Sequence, residues 1–324
     1  MYVPPYPLRL EPAFRSYLWG GRKLATRLAK PIPAEGIWAE SWEVVDHADH
    51  ESVIANGSLA GQTLRALMRD DNSWLVGNAP TVAGRFPLLL KYLDCQRDLS
   101  VQVHPEDDYA MAMEKPDLGK TEAWYIVDAE PGSIIYAGLK PGVERHDLEE
   151  AIAAGRTVDC LHQMEPQVGD CVFIPAGTVH ALGAGLIVAE IQQASNTTFR
   201  LYDWDRLDDQ GQPRELHIED SLKTINFSSG PRQIQIPVKL AEPGRERLVQ
   251  CDKFSFDRIH GVAHAKSGGD GRFRILTVPE GQAKVTVGPH VETLRTGDSL
   301  LLPASLDAAE IALDQGTTLL EASI

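Results

Sequence analysis

The chain has 324 residues, of which 43% are hydrophobic and 24% are charged, and its formal net charge at pH 7 is −15. This length is enough for two or three domains, and the hydrophobic fraction is ordinary for a protein with a sizeable core. The negative charge argues against nucleic acid and anionic membranes as partners, because both require a basic binding surface. The N-terminus has no signal-peptide pattern, and no apolar run approaches the roughly 20 residues of a membrane-spanning helix.

Cysteine spacing bears on the compartment of the protein. The four cysteines lie far apart and form no Cys-x-x-Cys pair: Cys95, Cys160, Cys171 and Cys251. Reduced core thiols in a cytoplasmic protein are therefore expected.

The predicted elements are mainly short strands. Strands and turns are expected over residues 1–60, and a helix capped by Thr63 is expected over 61–75 because its apolar residues recur at helical spacing. The apolar run 86–93 predicts a buried strand. The remaining chain is mostly short strands separated by Gly and Pro, a pattern typical of an antiparallel barrel or jelly roll.

A short internal repeat indicates two related β-barrels. The segment Gly-Asp-Cys-Val-Phe-Ile-Pro-Ala at 169–176 matches Gly-Asp-Ser-Leu-Leu-Leu-Pro-Ala at 297–304. Each copy is a Gly-Asp turn followed by four apolar residues and Pro-Ala. The first copy leads to His180, whereas the second has no histidine at that point, so the first barrel is expected to carry the chemistry.

The resulting domain prediction has three parts. A catalytic domain with the metal site is expected over 1–226, including a helical insert at about 61–78. A Pro/Gly-rich linker is expected over 227–246, and a second, metal-free β domain over 247–324.

Four residues are candidate ligands of one metal ion. Gln102 and His104 alternate with valines, so they share one face of a strand that Pro105 ends. Glu122 begins another strand-like run, and His180 follows a Pro/Gly turn. One amide oxygen, two imidazoles and one carboxylate suit a divalent ion such as zinc.

Nearby charged residues leave alternatives open. Glu122 and Lys120 lie two residues apart and can form an ion pair, with or without a metal. Lys91, inside an apolar run, either extends its ammonium to the surface or faces an anionic ligand. Arg200 precedes an acidic, aromatic run, so a surface ion pair is its alternative to a functional role.

These stretches resemble the type I phosphomannose isomerases, metalloenzymes of the cupin superfamily. The segments 99–110, 119–125 and 174–182 are similar to the family's metal motifs, and the similarity continues through Glu190 to Arg200. The similarity covers roughly residues 6–225, and the last hundred residues resemble the family only as a second cupin-like barrel. The resemblance implies a mainly β fold, with two cupin-like jelly-roll barrels and a few short inserted helices.

The resemblance also implies roles for the site residues. It makes Gln102, His104, Glu122 and His180 the ligands of one Zn²⁺ per chain, in agreement with the residue types. The family's active-site positions correspond to Lys120, Glu190 and Arg200, which are expected to act in catalysis as a set, while Lys91 is expected to bind the substrate phosphate.

The implied reaction is the interconversion of mannose 6-phosphate and fructose 6-phosphate through a cis-enediol, with a small sugar phosphate as the ligand. One departure stands out, because many members have an acidic residue where this chain has Asn196. The alternatives are a sugar-binding cupin without turnover and a metal-dependent cupin enzyme acting on another sugar. An iron oxygenase fits less well, because such sites usually have more histidine ligands.

Overall fold

The computed structural model describes residues 5–69, 72–207 and 210–324. The strands of the first half are β1 (Ala13–Arg15), β2 (Glu40–Val44), β3 (Asp46–His47), β4 (His50–Glu51), β5 (Leu88–Cys95), β6 (Val101–Val103), β7 (Glu122–Ala129), β8 (Ile135–Leu139), β9 (Leu161–Met164), β10 (Cys171–Ile174), β11 (His180–Leu182), β12 (Leu186–Gln193) and β13 (Phe199–Tyr202). Those of the second half are β14 (Val238–Lys239), β15 (Arg245–Gln250), β16 (Ser255–His260), β17 (His264–Ser267), β18 (Arg274–Glu280), β19 (Gln282–Val287), β20 (His290–Arg295), β21 (Ser299–Leu302), β22 (Ala309–Leu313) and β23 (Thr318–Ser323).

Short helices connect the strands. They are α1 (Lys23–Thr26), α2 (Leu64–Met68), α3 (Ser73–Val76), α4 (Asp107–Met111), α5 (Arg145–Ala153) and α6 (Ile218–Thr224), with 3₁₀ turns at Gly57–Leu59 and Thr157–Cys160. None of the helices in the described part of the chain has the length and apolar character to cross a bilayer.

Two similar pairs of antiparallel sheets make up most of the fold, and β3 and β4 form a separate two-stranded sheet. The first pair has the strand orders β1-β2-β5-β12-β7-β10 and β13-β6-β11-β8-β9. The second pair has the orders β14-β15-β16-β23-β18-β21 and β17-β22-β19-β20. Apolar side chains from both sheets of a pair meet in a shared core, with Trp124 and Leu182 in the first and Leu276 and Ile311 in the second. The predicted mainly β fold with two barrels is confirmed.

The two six-stranded sheets also pack against each other through their outer faces. Leu90 and Tyr92 of β5 share one buried core with Phe256 and Leu320 of the second pair. The Tyr92 hydroxyl lies 2.6 Å from the Thr277 hydroxyl across this contact. Because side chains alternate along a strand, the intervening Lys91 points the other way, into the first barrel.

The internal repeat occupies the same place in both halves. Ile174 of β10 pairs with Glu122, and Leu302 of β21 pairs with Arg274. These strands lie at the same edge of sheets that have the same connectivity. An arginine in the second barrel therefore stands where the first has a carboxylate of the metal-ligand type.

The helix predicted over 61–75 is wrong in extent, because it is divided into α2 and α3. Thr63 does cap α2, since its hydroxyl accepts a hydrogen bond from the Ala66 amide at 3.1 Å. Asn72 stands immediately before α3, and its side-chain amide donates to the Met68 carbonyl at 3.2 Å. Short polar side chains that bond to the backbone favour helix ends over helix interiors. Residues 70 and 71, inside the predicted helix, lie outside the described residues.

The predicted linker, 227–246, contacts both halves of the fold. Ile234 forms a β-bridge with Val172 of the first barrel, and β14 pairs with β15 of the second. The division into a catalytic domain, a linker and a second domain stays a prediction.

Candidate active site

All four predicted metal ligands lie together inside the first barrel. Gln102 is the middle residue of β6, and His104 follows that strand directly. Glu122 is the first residue of β7 and His180 the first of β11, where His180 pairs with Gln102. One donor atom each of His104, Glu122 and His180 lies within 4.8 Å of the others, and all three residues are buried. Strand ends from two facing sheets thus converge on one point.

Backbone carbonyls orient the two imidazoles. His104 Nδ1 lies 2.9 Å from the Thr197 carbonyl oxygen, and His180 Nδ1 lies 2.8 Å from that of Thr178. A carbonyl only accepts, so each Nδ1 carries the proton and each Nε2 presents a lone pair. These Nε2 atoms lie 3.5 Å and 3.4 Å from the two carboxylate oxygens of Glu122.

This donor set fits a divalent cation. Two imidazole lone pairs and a carboxylate face one another, an arrangement that a cation between them would stabilise. The amide nitrogen of Gln102 lies 3.5 Å from His104 Nε2 and 3.3 Å from His180 Nε2. Rotation of that amide would present its oxygen instead, which is the ligand atom that the sequence predicts.

Burial controls the protonation of these groups before a cation enters. It lowers the pKa of His180 to about 4 and holds the pKa of His104 well below its usual value, an effect that nearby Lys120 increases. Burial also raises the pKa of Glu122, and the charge of Glu190 adds to this shift. The imidazoles are therefore neutral at pH 7, as metal coordination requires.

Lys120 lies at the edge of the ligand cluster. Its ammonium is 3.1 Å from His104 Nε2, 3.1 Å from Glu122 Oε2 and 3.9 Å from Glu190 Oε1. The predicted Lys120–Glu122 ion pair is present, together with an arrangement that suits a metal. Lys120 thus places a buried cation beside the predicted metal ligands and Glu190.

Lys91 and Glu190 form a second buried ion pair in the same pocket. Lys91 Nζ is 3.1 Å from Glu190 Oε1 and 3.8 Å from Glu40 Oε1, so it does not reach the surface. The Trp124 indole N–H donates to Glu190 Oε2 at 3.0 Å. Burial alone would raise the pKa of Glu190, but the ammonium groups of Lys91 and Lys120 lower it below its ordinary value. Glu190 is therefore ionised and held in one orientation.

Two arginines, Arg200 and Arg214, also line the pocket. Arg200 donates from Nη1 to the Glu215 carbonyl at 2.8 Å, while its buried Nε has no hydrogen-bond partner among the described residues. Burial and the neighbouring charge of Arg214 lower the pKa of Arg200. In the acidic run after Arg200, Asp203 bonds to Arg206 and Arg214, and Asp205 accepts from the Tyr202 hydroxyl. Among residues 5–69, 72–207 and 210–324, no carboxylate lies within ion-pair distance of Arg200, and the alternative of a surface ion pair stays a prediction.

The pocket has a volume of about 290 Å³, and all the predicted site residues except the buried His104 line it. Other lining residues were not among the predicted site residues: Tyr17, Trp19, Glu40, Asn196, Thr198 and Arg214. The rings of Tyr17 and Trp19 stack with centroids 5.7 Å apart. Asn196 and Thr198 carried a sequence signal, because they lie in the segment of family similarity between Glu190 and Arg200. Arg214 gave none, because a lone arginine in a polar segment resembles any surface residue.

Comparisons with known proteins agree with this geometry. Residues 8–131 match the domain family described as phosphomannose isomerase type I, catalytic domain. The chain is 36% identical to the mannose-6-phosphate isomerase ManA of Bacillus subtilis (strain 168), over 93% of this chain and 94% of that protein. It is also 36% identical to the mannose-6-phosphate isomerase of Streptococcus mutans, over 93% of each protein.

Solved structures show the same fold. The mannose 6-phosphate isomerase from Bacillus subtilis superposes with a TM-score of 0.90 at 33% identity, covering 98% of this chain and 99% of that one. A variant of the phosphomannose isomerase from Salmonella typhimurium has a TM-score of 0.80 at 16% identity, covering 98% of each chain, a likeness of fold alone. The identities, the coverage and the buried site together show that this chain belongs to the type I mannose-6-phosphate isomerases.

Proposed function

We propose that the chain is a zinc-dependent enzyme that interconverts mannose 6-phosphate and fructose 6-phosphate through a cis-enediol. The single observation that carries the proposal is the position of the Lys120 ammonium, 3.1 Å from both His104 Nε2 and Glu122 Oε2. It brings a proton-carrying side chain to the metal ligands within one sugar-sized pocket.

The metal would be held by Gln102, His104, Glu122 and His180, with one ion per chain. When bound, zinc supplies a positive charge that stabilises negative charge developing on the sugar oxygens. The mixed nitrogen and oxygen donor set supports zinc, since imidazole and carboxylate are common zinc ligands. Only one carboxylate belongs to the set, so the loaded site keeps a positive charge that attracts an anionic substrate.

Glu190 and Lys120 are the groups proposed to move the proton between C2 and C1. Ionised Glu190 can accept the C2 proton, and the Lys120 ammonium can donate to a sugar oxygen as the enediol forms. The two side chains lie 3.9 Å apart, so one bound sugar can contact both. The Lys91 and Trp124 contacts keep the Glu190 carboxylate oriented during the transfer.

Arg200 and Arg214 are proposed to bind the phosphate. Both line the pocket, and the buried Nε of Arg200 lacks a hydrogen-bond partner in the part of the chain that the structure describes. A guanidinium presents several donors in a plane, which matches the oxygens of a phosphate. The phosphate role predicted for Lys91 stays a prediction, and its pairing with Glu190 and Glu40 leaves that ammonium less available than the arginines.

A coupled isomerase assay tests the proposal. Purified protein is assayed on mannose 6-phosphate and on free mannose, before and after chelation, and again with zinc added back. Activity on the phosphorylated sugar that chelation abolishes and zinc restores is expected. Bound zinc without turnover of either sugar would instead favour a sugar-binding role or another substrate, and would direct attention to Asn196.

A further inference from the structure

We propose that Asp117 is a positioning residue, which holds the His104 imidazole in its metal-binding orientation through the turn formed by residues 195–197. Asp117 lies in the connection between α4 and β7 and is only 9% exposed. Residue types alone do not indicate this role, because Asp117 is separated from the turn by almost eighty residues of sequence. The inference rests on the metal site of the proposed function.

One carboxylate oxygen of Asp117 accepts three hydrogen bonds from the turn. Its Oδ2 atom lies 3.0 Å from the Ser195 hydroxyl, 3.1 Å from the Asn196 amide nitrogen and 2.9 Å from the Thr197 hydroxyl. The Ser195 hydroxyl in turn accepts from the Thr197 amide at 3.2 Å. A single buried carboxylate thus organises three successive residues, and its ion-pair partners among the described residues lie farther away, with His47 Nε2 at 3.4 Å and Arg85 Nη1 at 3.6 Å.

The turn connects Asp117 to the metal ligands. The Thr197 carbonyl accepts the Nδ1 proton of His104 at 2.9 Å, which directs Nε2 towards Glu122. Partners of this kind set the tautomer and ring orientation of ligating histidines, and their loss typically weakens metal affinity about 10- to 100-fold. The other ligating histidine, His180, bonds to a carbonyl two residues away and needs no such distant support.

The same turn forms part of the pocket wall. Asn196 lines the pocket, and its side-chain amide donates to Asp49 Oδ2 at 2.6 Å. Asp117 also faces His47, whose Nε2 lies 3.4 Å from Oδ2. Burial would raise the pKa of Asp117, but the hydrogen bonds from His47 and Thr197 hold it well below its usual value. The carboxylate is therefore charged throughout the working pH range.

The test compares D117N with wild type and with D49N. Asparagine keeps the shape of Asp117 but removes its charge, whereas D49N alters the partly exposed residue that contacts the same turn without reaching the Thr197 carbonyl. Zinc affinity is measured by competition with a chromophoric chelator, without substrate. We expect D117N to bind zinc about 10- to 100-fold more weakly. The zinc affinity of D49N is expected to stay within about twofold of wild type, because Asp49 bonds to the Asn196 side chain and does not orient the Thr197 carbonyl.

Activity gives an independent readout. Saturating zinc should restore much of the kcat of D117N. If D117N does not fold, the S195A/T197V double variant removes two of the three donors and should weaken zinc binding in the same direction. Wild-type zinc affinity in a folded D117N protein would overturn the inference. Wild-type protein that binds no zinc would instead contradict the proposed metal site itself.

Discussion

Lys91 and Glu190 face each other on neighbouring strands of the first barrel, with Nζ 3.1 Å from Oε1. Both side chains are buried, and the pair lies between Glu40 on one side and Lys120 on the other. The order of charges across the pocket is therefore Glu40, Lys91, Glu190, Lys120 and Glu122. Each cation in this row contacts a carboxylate on either side.

Replacing Lys91 with methionine should leave two buried carboxylates without their shared cation. Breaking a buried ion pair by removing one partner costs about 3–5 kcal/mol, so the free energy of unfolding should fall by this order. Urea denaturation of the zinc-free protein measures this free energy of unfolding. K239M, at an exposed lysine of β14, is the matched control and should change stability by less than about 0.5 kcal/mol. Equal effects of the two substitutions would contradict a stabilising role for the pair.

Metal content should be one zinc per chain and should depend on the first barrel alone. The counterpart of Glu122 in the second barrel is Arg274, whose Nε bonds to Glu321 at 3.2 Å, and a guanidinium repels a cation. Elemental analysis of the purified protein should therefore give a ratio near one. H180A, which removes a proposed ligand, should bind the metal at least about 10- to 100-fold more weakly and lose activity with it. H264A, at an exposed histidine of β17, should keep both; a ratio near two would contradict the one-site assignment.

Arg214 should affect the phosphorylated substrate selectively. Losing a hydrogen bond to a charged group costs about 1.5–3 kcal/mol, so kcat/KM of R214A for mannose 6-phosphate should fall about 10- to 100-fold. Any turnover of free mannose should change little, and zinc should remain bound. R206A is the control, because Arg206 bonds to the same Asp203 but does not line the pocket. An equal loss on both sugars would argue against phosphate binding by Arg214.

R200A should reduce kcat/KM for mannose 6-phosphate at least as much as R214A does, by about 10- to 100-fold, and should retain zinc. Arg200 Nη1 bonds to the Glu215 carbonyl, and no carboxylate of the described residues pairs with Arg200, so its removal leaves none of those carboxylates without a partner. Kinetics on both sugars, with the metal content measured on the same sample, check this expectation. Normal turnover in R200A would remove Arg200 from the mechanism.

Asp203 should contribute to the acid stability of the protein. Burial would raise the pKa of Asp203, but hydrogen bonds from Arg214 and Arg206 lower it below its usual value. A carboxyl whose folded pKa is depressed stabilises the fold above its unfolded pKa near 3.9, and this stability is lost as the pH falls through the folded value. D203N should therefore be less stable at pH 7, and its stability should fall less steeply below about pH 4. Parallel acid-denaturation curves for D203N and wild type would contradict this.

Local sequence patterns predicted most of the site residues. The alternation of Gln102 and His104 places both on one strand face in any sheet, because the side-chain period of a strand is two. Thr63 caps α2 for a similarly local reason. The extent of the 61–75 helix was predicted less well, since spacing of apolar residues does not show where a polar side chain such as Asn72 interrupts a helix.

The sequence by itself determined the fold class, the metal-ligand residue types and the difference between the two repeats, because these follow from strand periodicity and from residue chemistry. Only the tertiary structure decided which distant residues meet. It brought Arg214 to the pocket, paired Lys91 with Glu190, and connected Asp117 to His104 through the turn at 195–197. Those contacts depend on strand register and on loops that cross between sheets, and no local pattern records them.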